Sequence, residues 1–303
     1  MSNIQQQFNY TVIIPHYNIP DLLMRCLKSI PVREDIQVIV VDDCSPGADK
    51  YKEQYPELSR PYLEFYSTLK GGSAGRARNV GLEHAQGKWL IFADADDFFA
   101  DNFSSILDRV VNEQYDLIYF QSKAVMSDNL NVESKRNQTL DKFNEYTQTG
   151  DVNVLRAKVY QPWGKIIKKE LVKKHHLLFD ETRYSNDVFF SVTCGVYAKD
   201  IRLYDDVLYY VTEREGSLTN EAKEKDKSAE EVDIRLSVAL KTKLFLINNG
   251  ISIHTDDHIG YGLVLLKKAP SLFIKRMVAL FFDHPRFAMR FTLDMIRFVI
   301  MNK

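Results

Sequence analysis

The chain has 303 residues, with 40 basic against 41 acidic side chains and a formal net charge of -1. That balance excludes the basic footprint of a nucleic-acid binder, and a hydrophobic content of 45% excludes a disordered chain. Cys26, Cys44 and Cys194 are widely spaced, form no Cys-x-x-Cys, and read as reduced thiols rather than a disulfide framework. The glutamine-rich stretch from Met1 to Asn9 lacks a basic-then-apolar leader pattern, and no window reaches the roughly 18 apolar residues of a membrane span, so a cytoplasmic location is expected.

In chain order, Tyr10 to Ile14 is a short β-branched run that predicts a buried strand closed by Pro15. Asp21 precedes an apolar stripe at helical spacing, Leu22, Leu23, Cys26, Leu27 and Ile30, which ends before Pro31. Gln37 to Val41 is the next buried strand and runs into Asp42 and Asp43; Tyr62 to Tyr66 is a weaker one. Arg76 to Gln86 reads as a helix stopped by Gly87. Lys88 to Ala93 is a strand, Asn102 opens a helix with Phe103, Ile106, Leu107 and Val110 inside, and Tyr115 to Gln121 returns as a strand. This alternation predicts an α/β fold, a mostly parallel sheet with helices on both faces. Ligands in such sheets sit beyond the carboxyl ends of the strands, where Pro15 to Asn18, Asp42 to Ser45 and Asp94 to Asp97 all fall.

The run from Trp89 to Asp97 carries the most chemistry, because an apolar strand pattern ends in Asp94, Asp96 and Asp97. Alternation along an extended backbone puts Asp94 and Asp96 on one side, with the small Ala95 keeping the space between them open. Carboxylates held that close repel unless a cation or a ring of donors neutralises them, and hard oxygen ligands suit Mg²⁺ or Mn²⁺ shared with phosphates. The bland alternative is an acidic loop start with Asp97 capping the next turn.

Taken as an ordered set, these stretches resemble family 2 of the inverting nucleotide-sugar glycosyltransferases, of the type that builds bacterial polysaccharides and other glycans. Val12 to Asn18 is similar to the family's opening strand and Pro-x-Tyr-Asn turn. Val40 to Ser45 is similar to Val-Val-Asp-Asp-Gly-Ser, with Cys44 in place of the glycine. Gly75 to Gly81 resembles Ala-Arg-Asn-x-Gly, Phe92 to Asp97 the Asp-x-Asp signature, and Trp163 to Lys165 the acceptor-side Trp-x-Lys. The likeness spans roughly residues 8–220 and is more specific than any single motif.

The resemblance implies a Rossmann-like GT-A domain over residues 1–225, with a nucleotide-binding half at about 8–121 and an acceptor half at about 122–225. Residues 226–303 then form a helical extension. It implies metal-dependent, inverting transfer from a nucleoside diphosphate sugar, commonly a UDP-sugar, to a glycan or lipid-linked acceptor. Asp96 would be the direct ligand of Mn²⁺ or Mg²⁺, and Asp94 would hold the ribose or reach the metal through water. Pro15, Tyr17, Asn18, Asp43, Gly75, Arg78 and Ala95 would line the nucleotide, with Asp42 and Asn79 structural. Trp163, Lys165 and Asn186 would lie on the acceptor side. Asp187 aligns with the family's general base and Asn186 stands where a glutamate is usual; an N-cap is the competing job for Asp187. Asp205 and Asp206 read as a strand-linking turn. Other readings of the fold are a nucleotidyltransferase and a nucleotide-sugar binder without turnover.

Several patterns are set aside. Gly71 to Gly75 has neither a following Lys-Ser/Thr nor the Gly-x-Gly-x-x-Gly spacing, so it predicts a loop rather than a phosphate cradle. His254 and His258 have metal-site spacing without the partner glutamate, and His175 and His176 read as exposed helix residues. Glu221 to Lys227 reads as a linker, Ser228 to Glu231 as a capping box, and Asn249–Gly250 as the end of the helix it opens. Near the end, Arg286, Arg290, Asp294 and Arg297 form one polar stripe beside Phe287, Phe291, Met295, Phe298 and Val299. That apolar arc either packs on the domain or makes peripheral contact with the inner face of a membrane.

Overall fold

The structure, a computed structural model, describes residues 8–134, 139–214, 227–252 and 257–301. The chain divides into two compact units, Met1–Glu215 and Gly216–Lys303. In the first, the strands are β1 (Tyr10–His16), β2 (Ile36–Asp42), β3 (Leu63–Ser67), β4 (Trp89–Phe92), β5 (Phe98–Phe99), β6 (Leu117–Met126), β7 (Lys165–Lys168) and β8 (Ile201–Glu213). The helices are α1 (Pro20–Lys28), α2 (Tyr51–Gln54), α3 (Ala74–His84), α4 (Phe103–Val110), α5 (Leu140–Thr149), α6 (Val152–Lys158), α7 (Lys169–Lys174) and α8 (Val188–Tyr197).

The strands form one sheet in the order β3-β2-β1-β4-β7-β6-β8-β5. β7 runs against both β4 and β6, and β5 against β8, so the other strands all point one way. Alternate residues of the central strands enter opposite cores, which is why their sequences are apolar at nearly every position. Val12, Ile14, Val38, Val40, Trp89 and Ile91 pack with α1 and α4 on one face. Ile13, Leu90, Phe92, Leu117 and Tyr119 pack with α6 and α8 on the other, where Ile39 and Val41 meet Ala77 of α3.

Local expectations shift in four places. β1 runs through Pro15 to His16, in register with β2. Ile13 turns its carbonyl toward β4, accepting from Ala93 N, so two residues later the missing N–H of Pro15 faces the side where β4 has already ended. α3 stops at His84 with an extended Ala85. Gly87 is instead required by contact, because a Cβ there would strike the backbone of Tyr10 and Thr11. Asp205 and Asp206 are not in a turn between strands. They are the extra residues of a bulge inside β8, between the pairs Tyr204–Phe120 and Val207–Gln121. His175 and His176 lie just past α7, and His175 stacks on Tyr197 at 4.1 Å.

The second unit contains α9 (Ala229–Asn248), α10 (Asp257–Lys268), α11 (Pro270–Asp283) and α12 (Pro285–Met301). Ser228 Oγ caps α9 by accepting from Glu231 N at 3.1 Å, while the Glu231 carboxylate pairs with Arg235. Asn249 caps the other end and Gly250 follows at φ 71°. Val232, Leu236 and Leu240 of α9 form one core with Ile259, Leu265, Met277, Phe291 and Met295. The apolar arc of α12 is thus split: Phe291 and Met295 are buried in this unit's own core, and Phe298 and Val299 are exposed. Among the described residues no helix is long and apolar enough to cross a membrane. His254 and most of the linker from Glu221 lie outside the described residues.

Candidate active site

β1, β2 and β4 are parallel neighbours, so the segments that follow them meet at one edge of the sheet. After β2, Asp42 is fully buried and saturated with donors. His16 Nδ1 lies 2.8 Å from its Oδ1, Ser45 Oγ donates to Oδ1 at 2.6 Å, and Ser45 N donates to Oδ2 at 2.7 Å. Ile19 N donates to His16 Nε2, which fixes the neutral Nδ1–H tautomer. Burial works against the charge of Asp42, yet the bonds from His16 and Ser45 hold its carboxyl below the ordinary range. Asp43 accepts from Thr68 Oγ1 at 3.0 Å and from Gly72 N at 2.9 Å, which ties down the Gly71 to Gly75 loop. Cys44 sits at φ 66°, a left-handed position that explains the glycine-like place it fills. Asn18 is also left-handed and donates its N–H to Ser45 Oγ, leaving Tyr17 58% exposed over the turn.

After β4 the backbone does not stay extended. Asp97 N donates to Asp94 O at 3.1 Å, closing a turn over Asp94, Ala95, Asp96 and Asp97. The turn separates the carboxylates by job. Asp97 points inward, where it is 3% exposed and accepts from Thr212 N at 2.7 Å; it ties the turn to β8 rather than capping. Asp94 pairs with Arg78 at 2.6 Å and Asp96 with Arg214 at 3.4 Å. The Asp96 carbonyl accepts from Arg25 of α1 and from Thr212 Oγ1. Burial and the charge of Asp94 push the Asp96 carboxyl up; burial, then Asp96 and Asp94, push Asp97 up further.

Helix α3 fastens the segment after Leu178 against this edge. Asn79 holds Phe179 by both backbone groups, Nδ2 to O at 3.0 Å and N to Oδ1 at 2.9 Å. Arg76 pairs with Glu181 at 2.9 Å. Gly75 leaves room for that segment, since a Cβ would collide with Asp180 O and stand 3.0 Å from Asn186 Cβ. Arg78 spans the junction, giving Nη1 to Asn186 Oδ1 at 2.8 Å and Nη2 to Asp94. Asp187 occupies the N-cap position of α8, yet its side chain makes no capping bond. Its carboxyl is pushed up by burial, against the pull of Arg78. Arg78, Asp94, Asn186 and Asp187 are therefore one neighbourhood.

Trp163 is buried and stacks on Tyr209 at 5.5 Å, and the Tyr209 hydroxyl accepts from Asp94 N at 2.7 Å. Lys165 is 1% exposed, donates to Val159 O at 2.8 Å, and is lowered by burial to about 7. Tyr209, Arg25, Thr212 and Arg214 had no signal in the sequence, because each meets the acidic turn from far along the chain.

Asp94 and Asp96 offer hard oxygen donors on one turn, with repulsion that a cation would relieve, so they fit a divalent ion whose shell is completed by phosphates and water. Among the described residues no group of three or more His, Cys, Asp or Glu forms such a site alone.

Comparison with solved structures gives the fold. The chain matches Staphylococcus aureus TarS 1-349 in complex with UDP-GlcNAc with a TM-score of 0.61 at 20% identity, over 86% of this chain and 71% of that one. It matches mannosyltransferase PcManGT from Pyrobaculum calidifontis, in complex with GDP-Man and Mn²⁺, with a TM-score of 0.55 at 14% identity, over 96% and 88%. The architecture is that of the GT-A glycosyltransferases. Residues 11–175, more than half the chain, match the model of glycosyl transferase family 2, and the protein belongs to that family.

Among curated relatives, the uncharacterized glycosyltransferase EpsJ of Bacillus subtilis is 24% identical over 221 residues, 69% of this chain and 62% of EpsJ. The poly(ribitol-phosphate) beta-N-acetylglucosaminyltransferase TarS of Staphylococcus aureus is 27% identical over 221 residues, 68% of this chain and 36% of TarS. The matched region thus spans less than two thirds of either relative.

Proposed function

We propose that this protein is a metal-dependent, inverting glycosyltransferase of cell-envelope glycan synthesis. In this reading it moves a sugar from a UDP-sugar to a glycan or lipid-linked acceptor. The observation that carries the proposal is the Arg78 bridge, which joins a carboxylate of the acidic turn to the segment bearing Asp187. Donor and acceptor chemistry then meet at one guanidinium. Residues 8–121 bind the nucleotide and 122–225 shape the acceptor side. Asp43, held by Thr68 and Gly72, presents a fixed acceptor to the uracil N–H, with Tyr17 on the base and Pro15 and Asn18 shaping the turn.

Asp96, with Asp94, would hold Mn²⁺ or Mg²⁺, which supplies positive charge to the departing diphosphate. Asp187 takes the proton of the acceptor hydroxyl as that oxygen bonds to the anomeric carbon. The bond to the diphosphate oxygen breaks on the opposite face, and its electron pair leaves with UDP. A carboxylate whose proton affinity is raised by burial is a better base at neutral pH than a solvated one. UDP as donor nucleotide follows the TarS complex, while the GDP-Man neighbour shows that this fold accepts another base.

Calorimetric titration with UDP and Mn²⁺, followed by a donor-turnover assay, tests the reading. No UDP binding at millimolar concentration overturns it. Asp187→Asn should keep donor affinity and lose turnover by roughly 10²–10⁴-fold; near-normal turnover would remove Asp187 as the base.

A further inference from the structure

The helical unit carries an apolar surface that its own packing leaves open. On α12, Ala288, Phe291 and Met295 are buried. Met289, Leu293, Ile296 and Ile300, spaced four, three and four residues apart, form a second stripe that is 50–68% exposed. α11 repeats the pattern with Ile274, Val278, Phe281 and Phe282 at 41–84% exposed. A groove of about 450 Å³ is lined by Leu263, Phe273, Met277, Phe281, Met295 and Val299. At 3.6 residues per turn, Arg286, Arg290 and Arg297 fall on one line of α12 next to its exposed stripe, with Asp294 3.9 Å from Arg290 and 3.7 Å from Arg297, and Lys275 adjoins the stripe of α11. All four basic residues are exposed. Helices α10 to α12 carry seven basic and three acidic side chains, net +4, in a chain whose net charge is -1.

From this geometry we infer that the α11–α12 face docks on the surface of a phospholipid bilayer with anionic head groups. The exposed stripes enter the boundary with the acyl chains, and the flanking arginines and Lys275 meet phosphates. Apolar stripes rimmed by basic side chains are what an interfacial helix needs. Charge argues against a second copy as the occupant: a two-fold contact would set two net-positive faces against each other, whereas anionic lipid neutralises them. The inference is independent of the transferase reading.

The test is co-sedimentation of the full chain with phosphatidylcholine vesicles containing or lacking phosphatidylglycerol, at low and high salt. The expected result is binding only to the anionic vesicles, weakened by salt. Arg286→Gln/Arg290→Gln/Arg297→Gln should weaken binding on the order of 100-fold. Phe282→Ser/Ile296→Ser/Ile300→Ser should abolish it, with circular dichroism confirming that both variants fold. Three outcomes overturn the inference: no binding of the intact chain at low salt, binding unchanged in both variants, or sedimentation equilibrium showing that the face is covered by a second copy and binds no vesicles.

Discussion

Two acidic turns lie at the carboxyl ends of β2 and β4, the strands that flank β1, and they are in opposite electrostatic states. The Asp42–Asp43 turn is met by neutral donors, His16, Ser45, Thr68 and Gly72, so its charges are stabilised without a cation. The Asp94–Asp97 turn crowds three carboxylates, two of which lean on guanidinium groups while burial and mutual repulsion raise the proton affinity of Asp96 and Asp97. In the first turn the donors of His16 and Ser45 commit Asp42 to scaffolding. In the second the carboxylates still repel one another despite their partners, which suits it to a cationic ligand.

The strongest way to break the comparison is Asp42→Ala. It strands His16 Nδ1–H, Ser45 N–H and the Ser45 hydroxyl in a buried place, and should cost about 3 kcal/mol of unfolding free energy in urea melts. A loss below about 1 kcal/mol would mean the network is dispensable.

Lys165 carries the same logic to a cation. Its folded pKa is lowered to about 7 by burial, so above that value the unfolded chain binds the proton the folded chain has released. Stability from this group therefore rises with pH from about 7 toward 10. Wild type should gain on Lys165→Met by on the order of 2 kcal/mol across that window. Parallel stability curves would show that the amine is not buried uncharged.

Asp96→Asn should have the smallest effect on stability, within about 1 kcal/mol in EDTA, because relief of repulsion offsets the lost pair with Arg214. It should still abolish Mn²⁺-dependent UDP binding. Its pH dependence gives the sharpest contrast. The raised carboxyl of Asp96 contributes stability that is present at acid pH and lost as pH rises through its folded pKa. The lowered carboxyl of Asp42 contributes stability present at neutral pH and lost as pH falls. Wild type should therefore lose ground to Asp96→Asn, and gain on Asp42→Asn, as pH rises through the carboxylate range. Slopes of the same sign would erase the distinction between the turns.

Sequence pattern found both turns, because strand ends and acidic runs are local features. It placed Asp94 and Asp96 on an extended backbone, whereas the bond from Asp97 N to Asp94 O makes a turn. It read Asp205 and Asp206 as a connection, because a bulge is defined only by the partner strand. It did not find Tyr209, Arg25 or Arg214, which reach the acidic turn across 71 to 118 residues.

What the sequence determined by itself is the alternation of buried strands and amphipathic helices, the parallel topology it implies, and the edge where the polar turns gather. Periodicity and turn chemistry are written in near neighbours, so they survive without a partner. Only the tertiary structure decided which carboxylate is satisfied and which is not. Protonation, pairing and the Arg78 bridge depend on groups that burial brings together from distant parts of the chain. The apolar face of α11 and α12 has the same origin: the sequence shows an apolar arc, and packing alone decides which half is buried and which is left exposed.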